Sequence, residues 1–203
     1  MKALGPDPAG NPNRTVASTY VKIFNCPADQ NPAPTVNSSP GTTAFYESTN
    51  LRRSNYLFST GNVTDYNDAY DTIPIASRGV FGNNGAATIQ TINDGTSNTI
   101  AIGESKQLKT FTEFGPYWGA GTHTAVHGYT PNSSYTPNYP YDSCAGAVNL
   151  KCQYAWGFGS YHGNLTNFVM CDGSVRNVKD NIDFATFKAA VTPSNSESLQ
   201  LPD

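Results

Sequence analysis

Asp172-Gly173, set between the apolar runs Asn167 to Cys171 and Val175 to Val178, constrains this chain more than any other stretch. An Asp-Gly pair in that setting predicts a β-hairpin, because the turn needs positive φ and glycine adopts it at little cost. Phe168 and Met170 supply one face of the first strand. Upstream stands His162, giving the spaced pattern His162-x9-Asp172-Gly173-Ser174. The histidine is read as bonding a backbone carbonyl and tying the preceding loop to the sheet. Asp172 organises its own turn.

The rest of the chain is short strands and long polar connections. Thr19 to Phe24 alternates and predicts a strand, stopped by the turn at Asn25-Cys26-Pro27-Ala28-Asp29. Ser54 to Ser59, Ala87 to Ile92 and Ile100 to Ile102, the last ending at Gly103-Glu104, are further strand candidates, and Gly79 to Gly82 is a short buried segment. Residues 1–18 read as an extended N-terminal arm, 30–43 as a polar Pro/Ser/Thr loop and Gly61 to Asp71 as an Asx-rich loop. Residues 114–161 are dominated by Gly, Tyr, Trp, Pro, Asn and Ser and read as a long ordered insert; so long a loop implies a function or a partner. One helix is clear, Asp183 to Val191. Asp183 suits the N-cap, Phe184, Phe187 and Val191 share a face, and Pro193 stops it. The expectation is one α+β, mostly β domain over residues 19–203: an antiparallel sheet with long ordered loops and a short C-terminal helix.

Charge narrows the function classes. Charged residues make up 13% of the 203, about half the usual share, and the net charge is −3. Amides, hydroxyls, glycine and proline fill the gap, which suits an extracellular, loop-rich protein. Arg52-Arg53 is the one adjacent basic pair, so the basic stripe that nucleic acid requires is missing. No run of 18 apolar residues is present to span a membrane.

Cys144 and Cys152 bracket seven residues in a Gly/Tyr/Pro-rich segment and predict a local disulfide in an oxidising compartment, with a contribution of about 2–3 kcal/mol. Cys26 and Cys171 either pair across the fold or remain as buried thiols.

Three motifs in order carry a resemblance: Phe24-Asn25-Cys26-Pro27-Ala28-Asp29, then Ile92-Asn93-Asp94-Gly95-Thr96-Ser97-Asn98-Thr99 with Gly103-Glu104, then His162-x9-Asp172-Gly173-Ser174. Together they resemble the pseudopilin-like secreted proteins abundant in planctomycete-type bacteria, known for a prepilin-processing-associated His-x9-Asp-Gly domain. The resemblance implies a pseudopilin-like globular domain, an extracellular or cell-surface location on the periplasmic side of the export pathway, and a structural subunit of a filament or homo-oligomer. The family's Gly-Phe-Thr-Leu-Ile-Glu-type processing site and apolar helix are not found in these residues, so the expectation is the globular part alone.

Several constellations remain open. Asp94, Thr96, Ser97 and Asn98, with Glu104 reaching back, would form an oxygen nest for calcium, as in related type II secretion pseudopilins; otherwise they satisfy their own turn. Asp65, Asn67, Asp68 and Asp71 are a second, poorer calcium candidate, lacking the EF-hand glycine and glutamate. His123, His127 and His162 would make a zinc site only if the fold gathers them. His162 and Asp172 invite a triad reading, but no serine sits in a Gly-x-Ser-x-Gly elbow. Aromatics of the insert, Tyr117, Trp118, Tyr129, Tyr139 and Trp156 among them, form either its core, a protein-contact surface or a platform for a cell-surface glycan. The reading that follows is a non-enzymatic structural subunit acting by protein contact or self-assembly. A carbohydrate-binding module and, behind it, a metal-dependent hydrolase are the alternatives.

Overall fold

A computed structural model describes residues 12–29, 35–36, 50–64, 69–119, 123–194 and 201. Its strands are β1 (Thr35–Val36), β2 (Leu51–Arg52), β3 (Tyr56–Gly61), β4 (Phe81–Gly82), β5 (Gly85–Ala86), β6 (Ile100–Glu104), β7 (His127–Tyr129), β8 (Asp142–Cys144), β9 (Ala147–Cys152), β10 (Leu165–Met170) and β11 (Val175–Lys179). Its helices are α1 (Pro12–Ala17), α2 (His123–Val126) and α3 (Phe184–Val191).

Five strands form the main sheet in the order β11-β10-β6-β3-β7. The predicted hairpin is β10–β11, paired antiparallel from Leu165↔Lys179 to Val169↔Val175, with Gly173 at φ +85° in its turn. β6 and β3 continue antiparallel, but β7 lies parallel to β3 through Phe58↔His127. The sheet is therefore mixed rather than antiparallel. A parallel neighbour cannot be reached by a tight turn; here the chain comes to that edge only after the long stretch following β6.

Thr166, Phe168 and Met170 are buried along β10, as the two-residue period demands. They face α3, whose Phe187, Ala190 and Val191 complete a core with Leu57, Ile100, Phe158, Val178 and Leu201. Phe158, Phe168 and Phe187 meet edge to face, with centroids 5.2–6.1 Å apart. Asp183 caps α3 by accepting from the Thr186 N–H at 3.1 Å. Phe158 sits over the strands only because Gly103 and Gly128 lack side chains; a Cβ at either position would run into its ring.

Three local expectations are corrected. Residues 12–17 of the extended arm form α1, which begins on proline and packs Ala17 with Leu51, Tyr117 and Ala125; residues 1–11 lie outside the described residues. Thr19 to Phe24 is not a strand. Asn25 bonds back to the Val21 carbonyl, Lys22–Phe24 closes as a 3-10 turn, and Ile23 is left 77% exposed without a partner strand. Ala87 to Ile92 holds a 3-10 turn at Ile89–Thr91. There the Thr91 hydroxyl accepts from the Thr88 N–H at 2.9 Å and competes with strand pairing.

The insert at 114–161 is not a separate layer. It contributes β7 to the main sheet and Phe158 to the main core. Five of its other aromatics pack on one another: Tyr129, Tyr135, Tyr141, Tyr154 and Trp156 form a chain of tilted and edge-to-face contacts. The adjacent hairpin β8–β9 carries the disulfide Cys144–Cys152.

Arg52 and Arg53 do not make a basic surface. Arg53 is buried and donates to the carbonyls of Gln107, Thr112 and Phe114, and burial lowers its pKa to about 10. No helix among the described residues is long and apolar enough to cross a membrane.

Candidate functional site: a cysteine, a glutamate and a histidine

One residue from each of the three sequence motifs, Cys26, Glu104 and His162, meets the others at one end of the main sheet. β6 and β10 run antiparallel, so Glu104, the last residue of β6, lies beside the start of β10, where His162 leads in. The Asn25-Cys26-Pro27-Ala28-Asp29 turn closes on the same end. Its Cys26 Sγ stands 3.2 Å from His162 Nε2, and Glu104 Oε1 stands 3.3 Å from the same nitrogen. All three ligand atoms lie within 4.8 Å of one another, and this is the one such group of three among the described residues.

Each side chain is held from behind. Glu104 Oε2 accepts from the Asn167 N–H of β10 at 2.9 Å, leaving Oε1 turned to the imidazole. The Cys26 N–H donates to Asn55 Oδ1 at 2.9 Å, and Asn55 Nδ2 donates to Asp29 Oδ2 at 2.7 Å. Gln107 completes this network, donating through its main chain to Asp29 and through its side chain to Asn25 and Asn55. The His162 N–H donates to Ser160 Oγ at 3.1 Å, and the Gly159 N–H donates to the Glu104 carbonyl at 2.8 Å. Cys26 and Glu104 are buried, while the His162 side chain keeps 37% of its surface in solvent. The cluster is thus closed below and open at the rim. Burial raises the pKa of the Cys26 thiol, outweighing the backbone hydrogen bond at Ala28 that lowers it.

His162 therefore does link loop to sheet, but through a thiol and a carboxylate rather than a backbone carbonyl. Asp172 is at the other end of β10, engaged in its turn: it accepts from the Ser174 N–H and hydroxyl at 2.8 and 2.6 Å, and these bonds hold its carboxyl below the usual range. His162 and Asp172 do not form a pair. Cys26 and Cys171 are free thiols for the same reason, since the length of β10 separates them.

The remaining candidates are dispersed. Asn98 donates to the Asp94 carbonyl and Thr99 to the Gly95 carbonyl, so this loop is bonded within itself, and Ser97 lies in the same turn. Glu104 is at the far end of β6 from it and does not reach back to this loop, whose residues satisfy their own turn, the other of the two readings. Asp65, Asn67 and Asp68 lie outside the described residues, and Asp71 is exposed in a 3-10 turn. His127 is buried on the edge strand β7, apart from His162; the side chain of His123 lies outside the description.

Among the proposed contact residues, Tyr117 is buried in the cluster around Leu51, and Trp118 packs on Phe24 with its Nε1–H donating to the Thr19 carbonyl. Tyr129 and Trp156 belong to the aromatic chain inside the insert. Tyr139 alone of the five is exposed.

Sequence reasoning left Cys26 open between a disulfide and a buried thiol, offered Glu104 only to a candidate calcium loop and gave His162 a backbone contact, and so missed the cluster. The usable signal was topological: an antiparallel β6 and β10 must bring the end of one beside the start of the other.

A β-rich domain with a mixed five-stranded sheet, few helices and a Cys/Glu/His cluster at one sheet end defines the class. The chain matches the family described as "Protein of unknown function (DUF1559)", SBP_bac_10, over residues 4–185, and belongs to it. No curated protein and no solved structure matches it.

Proposed function

We propose that this chain is a non-enzymatic structural subunit, secreted or displayed at the cell surface, that assembles with copies of itself. The pseudopilin-like reading of its motifs points the same way, as do its low charge and the disulfide, a bond that persists in oxidising compartments.

The observation that carries the proposal is the form of hairpin β8–β9. Between the pairs Ser143↔Lys151 and Cys144↔Ala147 its register breaks, and residues 148–150 form a bulge with no partner residue on β8. Val148 is 83% exposed and Leu150 50%. A two-stranded hairpin is marginal by itself, and the Cys144–Cys152 bond, from the turn end of β8 to the open end of β9, holds this one in shape. A braced apolar bulge suits docking against a partner, because little conformational freedom is left to lose on binding.

Light scattering on the purified chain across a concentration series tests this. Association is expected for the wild type and is expected to disappear in Val148→Asp with Leu150→Asp, with near-ultraviolet circular dichroism unchanged. A monomer at every concentration, or association that ignores both substitutions, sinks the proposal. If tryptophan fluorescence responds instead to soluble glycans, the carbohydrate-binding reading replaces it.

A further inference from the structure

We propose that Cys26, Glu104 and His162 form a binding site for a zinc-class divalent metal ion, completed from solvent by a fourth ligand. Three protein donors, one each of sulfur, oxygen and nitrogen, converge from three distant segments. In a tetrahedral zinc site with ordinary bond lengths, neighbouring donor atoms stand roughly 3.4–3.6 Å apart. The S···N and N···O separations here are 3.2 and 3.3 Å, and all three donors lie within 4.8 Å of one another, so a small side-chain adjustment admits the ion.

The way the imidazole is used separates this site from a catalytic triad. In a nucleophile–histidine–acid relay, one ring nitrogen faces the nucleophile and the other faces the acid. Here both the thiol and the carboxylate face Nε2. A single nitrogen between the two cannot relay a proton from one to the other, whereas three donor atoms turned toward a common point are what a metal ion requires. Donor chemistry then selects the metal. Thiolate and imidazole favour zinc and its neighbours, while calcium and magnesium take oxygen.

The surroundings match those of a built site. Metal ligands are held by outer hydrogen bonds, whose loss typically lowers affinity about 10–100-fold. Glu104 has Asn167 behind it, the Cys26 turn has Asn55 and Asp29, and the His162 main chain has Ser160. The half-exposed rim at His162 leaves the fourth position to water or to an incoming donor, as in zinc sites with three protein ligands.

The test uses the full chain, stripped with chelator and titrated with cobalt(II) and with zinc. One equivalent should bind, cobalt should give a thiolate charge-transfer band, and zinc should displace it. Cys26→Ser should abolish the band, Glu104→Gln and His162→Ala should weaken binding, Asn55→Ala should lower affinity about 10–100-fold, and Cys171→Ser should change nothing. A second measurement needs no variant. Zinc should protect Cys26 from iodoacetamide, and chelator should expose it, with Cys171 labelled alike in both. No stoichiometric uptake, a band that survives Cys26→Ser, or labelling of Cys26 indifferent to zinc would each overturn the proposal.

Discussion

Lys109 has lost all contact with water, and among the described residues no ion pair to a carboxylate holds its ammonium. Its Nζ donates instead to Ser105 Oγ at 2.7 Å, to the Gly157 carbonyl at 2.9 Å and, more weakly, to Gln153 Oε1 at 3.5 Å. Burial and then the charge of Arg53 hold its pKa well below the ordinary lysine value. The side chain therefore acts as a three-pronged donor, stitching the chain after β6 to the segment that carries Phe158. Methionine fills similar space but donates nothing, so Lys109→Met should destabilise the fold by about 1–3 kcal/mol, the cost of the buried hydrogen bonds lost at Ser105, Gly157 and Gln153, although the Gly157 carbonyl keeps the Ser105 hydroxyl. Urea denaturation checks this, and an unchanged midpoint would show those acceptors to be satisfied by other donors. Nothing in the sequence around Lys109 distinguishes it from a surface lysine, because its partners are fixed only when β6 and the insert meet.

At the scale of elements, Phe158 occupies the hollow left by Gly103 on β6 and Gly128 on β7. Gly128→Ala places a methyl group inside the ring's space on an otherwise well-packed face. Overpacking of this kind costs about 1–3 kcal/mol, and thermal unfolding followed by near-ultraviolet circular dichroism should report it. A variant as stable as wild type would mean that the ring can move aside. Elements whose signals are local were readable in advance: the β10–β11 hairpin from Asp172-Gly173, α3 from Asp183 and its apolar face, the disulfide from the spacing of Cys144 and Cys152. Thr19 to Phe24 and Ala87 to Ile92 were misread because alternation needs a partner strand, and side chains of Asn25 and Thr91 capture the backbone first. The parallel placement of β7 was unreadable for the opposite reason. His127-Gly128-Tyr129 says little by itself, and its site is defined by β3 and Phe158.

For the whole molecule, alkaline pH should expose an asymmetry between the half-buried Cys171 and the fully buried Lys109. Burial, followed by the charge of Asp172, raises the Cys171 thiol from 9.0 to about 11. Between those values the folded thiol keeps a proton that the unfolded one has lost, so stability from this group is complete below pH 9 and falls as pH rises to about 11. Lys109 works in the other direction: its folded pKa is depressed, the unfolded chain binds the extra proton, and its term grows more favourable with rising pH. Comparing wild type with Cys171→Ala isolates the first effect. The stability advantage of wild type should shrink from pH 9 to 11, and a pH-independent difference would contradict the partial burial of this thiol.

Whole-chain topology also explains why the Cys/Glu/His cluster was illegible. Each member belongs to a motif visible in the sequence, but Cys26 and His162 are 136 residues apart, and no local rule reports a contact at that range. Their separation has a consequence of its own. The disulfide closes a loop of separation 8, small enough to brace one hairpin and nothing else. A cross-link at the cluster would close one of 136. Because closure entropy grows with the logarithm of loop length, the longer clasp would remove roughly 2.5 kcal/mol more freedom from the unfolded chain. The covalent bond guards a detail, and the clasp at the sheet end would govern the architecture.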